Sequence, residues 1–140
     1  MTRHVQIDGR KILVEAGLCP TRQRVSLAKL LFTQCDRHVT AEQLHKEALG
    51  SNVAVSLATV YNTLHQFIQA GLLREIAIEG PKTYFCTNTS NHYHFFSETD
   101  GELVDIPLDA INIQVLPEPP EGMEIAHIDV LVRIVEKSGA

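Results

Sequence analysis

The sequence predicts an α+β chain. Helices close on a β-hairpin over residues 1–86, and a small α/β domain with a three-stranded sheet follows over residues 87–140. Three observations predict it. Apolar residues recur at helical spacing through Ile68, the period falls to two after Gly71, and the charge changes sign between the halves.

Residues 8–16 read as a short amphipathic helix ended by Gly17. Thr21 stands where an N-cap belongs, ahead of Val25, Leu27, Ala28, Leu30, Leu31 and Phe32. Thr40-Ala41-Glu42-Gln43 has the form of a capping box and opens a helix carrying Leu44, Ala48 and Leu49, with Gly50 placed to end it. The clearest helix follows a Ser56 cap. Leu57, Val60, Tyr61, Leu64, Phe67 and Ile68 form one apolar stripe, and Gly71 follows its end. The other face shows Ala58, Thr59, Asn62, Thr63 and Gln66, small or polar and without acidic charge. Residues 73–78 and 83–86 then read as strands around the turn Glu79-Gly80-Pro81-Lys82. Three short helices and a hairpin are the order of a winged helix-turn-helix, whose third helix enters the major groove of DNA and whose hairpin is the wing.

The second half reads as strands over residues 92–97, 102–106 and 124–135, the last long and rich in Ile and Val. Residues 108–115 read as a short helix, and the proline-rich residues 116–122 as a loop. Three strands in about 50 residues are few to stand alone, so a homodimer through this sheet would supply the missing core.

Composition narrows the function. At 44% hydrophobic and 21% charged residues the chain reads as soluble and globular, with no apolar run long enough for a bilayer. Residues 1–6 lack a signal-peptide core, which predicts a cytoplasmic protein without a membrane partner. Cys19, Cys35 and Cys86 are odd in number and form no CxxC pair, as expected of free thiols in a reducing compartment. The net charge of −5 is uneven: residues 1–85 carry ten Lys/Arg against seven Asp/Glu, residues 86–140 two against ten. A mildly basic module joined to an acidic one limits non-specific attraction to phosphate and leaves affinity to a switch.

The chemistry centres on His92-Tyr93-His94. Residues i and i+2 of a strand share a face, so both imidazoles can point at one ion. By itself His-x-His reads equally as an exposed strand face, but Asp105 lies on the next strand. A four-residue loop over residues 98–101 would set Asp105 opposite His94, whereas a two-residue Asp100-Gly101 turn would set Pro107 there. Either way Asp105 shares the histidines' face. His38, before a helix, and Cys86, at the end of the wing, are remote candidates to complete a site. Taken singly they read as a solvated histidine and a buried small hydrophobe.

At this point the chain resembles the ferric-uptake-regulator family from about residue 8 to 136. The resemblance is carried by Pro20-Thr21-Arg22-Gln23-Arg24, His38-Val39-Thr40-Ala41-Glu42, Ala58-Thr59-Val60-Tyr61, Lys82-Thr83-Tyr84-Phe85 and His92-Tyr93-His94. Within it, Ser56-Leu57-Ala58-Thr59-Val60-Tyr61-Asn62-Thr63-Leu64, Thr87-Asn88-Thr89 and Glu102-Leu103-Val104-Asp105-Ile106 resemble the iron response regulators of alphaproteobacteria. The resemblance implies a dimeric regulator of an AT-rich palindromic operator, with one regulatory site for iron, manganese or zinc clamped between its domains. Its ligands would be His38, Cys86, His92, His94 and Asp105. Cys86 stands where the family's pattern has a carboxylate, and a thiolate tilts preference toward zinc or cobalt. Many members carry CxxC pairs for a structural zinc, and their absence here predicts no four-cysteine site. A second family metal site retains His127, but Asn91 and Tyr93 replace expected ligands. The iron response regulators are similar in answering to haem, for which Cys19 (before Pro20), His92 and His94 are the candidates.

On double-stranded DNA, Ser56, Thr59 and Asn62 would read bases, Tyr61 would meet a thymine methyl or a phosphate, and Arg22 or Arg24 and Lys82 would hold phosphates. His45 and His65 read as ordinary exposed helix residues. The leading expectation is a repressor responding to iron or haem. A peroxide sensor using iron or manganese at the same ligands is the alternative. A metal-dependent hydrolase is the reading from another class, opposed by the lack of a separate general base near the histidines.

Overall fold

The computed structural model describes residues 8–33, 35–78 and 82–138, which fall into two compact units divided between Thr89 and Ser90. In the first unit, helices α1 (Gly9–Glu15) and α2 (Arg22–Leu31) precede strand β1 (His38–Thr40). Helices α3 (Ala41–Gly50) and α4 (Leu57–Gln69) follow, then strands β2 (Arg74–Ala77) and β3 (Thr83–Cys86). The winged-helix order is present, with α4 as its last helix and β2 and β3 as the wing. The expected turn at residues 79–81 lies outside the described residues; Lys82 is described and exposed.

Each helix starts where an oxygen-bearing side chain can accept an orphan backbone N–H. Asp8 accepts from Lys11, Thr21 from Arg24, Thr40 from Gln43 and Ser56 from Thr59. Three helices end alike. After α1, Leu18 N–H returns to the Leu13 carbonyl and Gly17 N–H to that of Val14; after α4, Leu72 returns to Phe67 and Gly71 to Ile68. Gly17 and Gly71 take the left-handed φ this closure needs. After α3 the same closure uses Asn52, at φ 60°, so Gly50 remains inside the helix rather than ending it.

The stripe of α4 faces the core as expected, with Val60, Leu64 and Phe67 fully buried against Leu13, Leu27, Leu31, Leu44 and Phe85. Thr63 departs from the expected polar face and is buried. Its hydroxyl donates to the Thr59 carbonyl at 2.8 Å, so the buried polar atom is satisfied within the helix. His45 is half-buried rather than simply exposed, its Nε2–H donating to the Val55 carbonyl at 3.0 Å and tying α3 to the approach of α4.

The unforeseen element is β1. Three residues before α3 pair with β3, making an antiparallel sheet of order β1-β3-β2 with His38 opposite Cys86. Arg37 secures its start: its guanidinium bonds the Leu30 carbonyl and Glu47, each at 2.7 Å, and its N–H reaches Thr87 Oγ1 at 2.8 Å.

The second unit is a three-stranded sheet of order β5-β4-β6, built from β4 (Tyr93–Ser97), β5 (Leu103–Ile106) and β6 (Leu131–Ile134). β4 and β5 form an antiparallel hairpin, whereas β6 runs parallel to β4. Two expectations are corrected here. The long strand over residues 124–135 shrinks to Leu131–Ile134, because the pairing on β4 runs only from His94 to Ser97 and leaves residues 124–130 without a ladder. The helix over residues 108–115 shrinks to a 3-10 turn, Leu108–Ala110, which lacks a side-chain cap and runs into β-branched Ile111, Ile113 and Val115. Among the described residues no helix is long and apolar enough to cross a membrane.

Candidate metal centre and nucleic-acid interface

In the second unit the hairpin adopts the four-residue-loop register, with His94 directly opposite Asp105. His92 stands two residues before His94, and their rings lie 4.4 Å apart between centroids. Both Nε2 atoms are 3.4 Å from Asp105 Oδ1. The imidazoles are buried, at 7% and 6% exposure, while the Asp105 side chain is about one-third exposed. His92 Nδ1 lies 2.6 Å from the Ser90 carbonyl. A carbonyl can only accept, so Nδ1 donates to it and Nε2 is the ring nitrogen that faces Asp105.

Two imidazole nitrogens and a carboxylate oxygen brought this close together suit a shared cation. The spacing fits a metal: with bonds of roughly 2.0–2.1 Å, neighbouring corners of a tetrahedron stand about 3.3–3.4 Å apart. The Ser90 carbonyl supplies the outer hydrogen bond that orients a ligating imidazole.

In the first unit the register of β1 on β3 places His38 across from Cys86, with one ligand atom of each within 4.8 Å of the other. Cys86 is fully buried, and its thiol donates to the Asn88 carbonyl at 3.5 Å. The first unit thus holds a nitrogen–sulfur pair of its own, softer than a nitrogen–oxygen set. Nothing in the local periodicity around His38 signals β1, and the pairing that sets it opposite Cys86 spans 48 residues. Cys19 and Cys35 are exposed. His127 is exposed and 3.1 Å from Asp129.

On α4, Ser56 and Asn62 are exposed and Thr59 half-buried. Ser56 Oγ accepts from Thr59 N–H at 3.1 Å and lies 2.9 Å from Thr59 Oγ1. Tyr61 packs its ring on the core edge and donates its hydroxyl to Glu42 Oε1 at 2.6 Å. That bond holds the Glu42 carboxyl below its ordinary range and raises the Tyr61 hydroxyl above its own. Arg22 is exposed; Arg24 is half-buried and bonded within its unit.

A winged helix followed by a small sheet bearing a histidine–carboxylate cluster defines a class of DNA-binding regulators that sense metals. The chain matches the Ferric uptake regulator family over residues 15–133 and belongs to it. It is 30% identical over 128 residues to the Peroxide operon regulator of Bacillus subtilis, covering 91% of this chain and 88% of that protein. It is also 32% identical over 105 residues to a Ferric uptake regulation protein of Vibrio cholerae, covering 74% of this chain and 70% of that protein. The fold superposes on the ferric uptake regulator of Pseudomonas aeruginosa, solved with manganese, with a TM-score of 0.72 at 25% identity, over 94% of this chain and 100% of that one. Proteins of this family are transcription regulators and not enzymes, so the hydrolase reading falls.

Proposed function

We propose that this chain is a metal-responsive repressor that binds an AT-rich palindromic operator as a homodimer in the cytoplasm. Residues 1–86 serve as the DNA-binding part and residues 87–140 as the dimerisation and metal-sensing part. The observation that carries the reading is the convergence of His92, His94 and Asp105 on one hairpin at metal-ligand spacing. These three would hold a divalent ion, with His38 and Cys86 completing the ligand set as the family pattern implies. Iron, manganese and zinc all suit imidazole with carboxylate, and a Cys86 thiolate favours zinc. Cys86 would release its proton on binding, so affinity for the ion should rise with pH. Ser56, Thr59 and Asn62 read bases, Tyr61 contacts a thymine methyl or phosphate, and Arg22 and Lys82 hold phosphates.

Fluorescence anisotropy of an AT-rich palindromic duplex tests this. Metal-stripped chain titrated with Mn(II) without oxygen should gain at least tenfold in affinity, and His92→Ala should abolish the gain. Tight binding indifferent to Mn(II) would refute metal control and leave haem as the signal, with exposed Cys19 the residue to replace first.

The similarity to the Peroxide operon regulator favours a second reading, peroxide sensing at the same ligands. Peroxide should then release DNA from the iron-loaded chain but not from the manganese-loaded one. Release from neither would sink it.

A further inference from the structure

Arg24 belongs to the basic first unit, yet it is half-buried and its guanidinium is hydrogen-bonded within that unit. Nε donates to Gln66 Oε1 on α4 at 3.1 Å, and Nη1 donates to the Cys19 carbonyl at 2.9 Å. One side chain thereby ties α4 to the segment that enters α2. Arg22, two residues earlier, is exposed. The rigid fork of a guanidinium serves two acceptors in fixed directions at once, which the single ammonium of lysine does not. Gln66 follows Asn62 by four residues, so the bond acts on α4 one turn along from an exposed base-reading candidate.

We propose that Arg24 is a positioning residue for sequence readout: through Gln66 it sets how α4 presents its exposed side chains, and it is not a phosphate ligand. This rests on the reading of α4 as the recognition helix. Base discrimination depends on hydrogen-bond geometry at base edges, whereas phosphate attraction tolerates small rotations. Loss of Arg24 should therefore erode specificity and spare the electrostatic part of binding.

The probe is a duplex selected from a random pool by the Mn(II)-loaded wild-type chain, measured against a scrambled duplex of the same composition over a salt series. Arg24→Ala and Gln66→Ala should each cut the preference for the selected duplex about tenfold. The slope of log affinity against log salt should not change, and the double variant should lose no more than either single one. Arg22→Ala supplies the contrast, flattening the slope by about one and keeping the preference. Should Arg24→Ala fail to fold, Gln66→Ala decides, since it removes the tie and keeps the charge. A slope flattened by about one in Arg24→Ala would make Arg24 a phosphate ligand and overturn the inference. An unchanged preference in both variants, with only a lowered melting temperature, would reduce the tie to a structural one and also overturn it. If the wild-type chain selects no sequence at all, the DNA reading itself fails and this inference with it.

Discussion

In residues 8–89 the large apolar side chains are turned inward. Leu13, Leu27, Leu31, Leu44, Leu64 and Phe67 are each at 0% exposure, and only Val14 and Leu49 stand out among the exposed ones. In residues 90–138 the proportions reverse. Tyr93 and Ile106 are the buried apolar residues, while Val104, Leu108, Ile113, Val115, Leu116, Met123, Ile125, Ile134 and Val135 are exposed, Val115 to 84%. Burial of apolar area is the main term holding a small domain together. The first unit therefore carries its own apolar core, whereas the second displays apolar side chains that the proposed homodimer would cover.

The largest effect expected from this contrast is in the first core. Phe67→Ala should cost about 3–5 kcal/mol, seen as a fall in the denaturation midpoint at unchanged slope, because it empties a fully enclosed site. A cost below about 1 kcal/mol would mean that the core closes over the gap and is looser than it looks. Next comes a change on the displayed face. Val104→Lys should leave stability at low concentration within roughly 0.5 kcal/mol of wild type, yet weaken self-association tenfold or more by sedimentation velocity. Unfolding as deep as that of Phe67→Ala would place Val104 inside its own unit's core and erase the contrast.

The smallest effect concerns the solvent side of the first unit. The bond between Tyr61 and Glu42 lowers the carboxyl and raises the hydroxyl. A lowered carboxyl contributes stability above its unfolded value and loses it as pH falls. A raised hydroxyl contributes below its unfolded value and loses it as pH rises. Wild type should then exceed Tyr61→Phe by roughly 0.5 kcal/mol between about pH 5 and 9, with the difference shrinking on both sides. A difference that persists undiminished to pH 3 would show that the bond is not made in solution.

The same contrast explains what could be read from residues alone. Thr21, Thr40 and Ser56 announce their helices because a cap is a local event, and the stripe from Leu57 to Ile68 encodes its own burial. The face shared by His92, His94 and Asp105 was likewise legible, since alternation decides it whether the hairpin loop has two residues or four. Pairings between distant segments were not. His38 meets Cys86 through a strand too short to have a period, and β6 joins β4 in parallel after 33 intervening residues without a local signal. The second unit also misleads because, beyond Tyr93 and Ile106, few of its apolar residues are buried and so give the pattern no inner face to follow. A run such as Ile125 to Val135 looks like a strand, yet most of it has no ladder partner within the chain.

The loop joining β4 to β5 works as a ruler. Gly101 N–H closes onto the Ser97 carbonyl at 2.8 Å, Gly101 takes a left-handed φ, and Asp100 accepts from Glu102 N–H at 3.1 Å. Four residues of loop are what bring a carboxylate, rather than Val104 or Ile106, opposite His94. Adding or removing one residue there would leave every donor in the chain and turn an acid–imidazole pair into a hydrocarbon–imidazole pair. Among related chains, then, this hairpin should tolerate exchange of its loop residues far better than any change in their number.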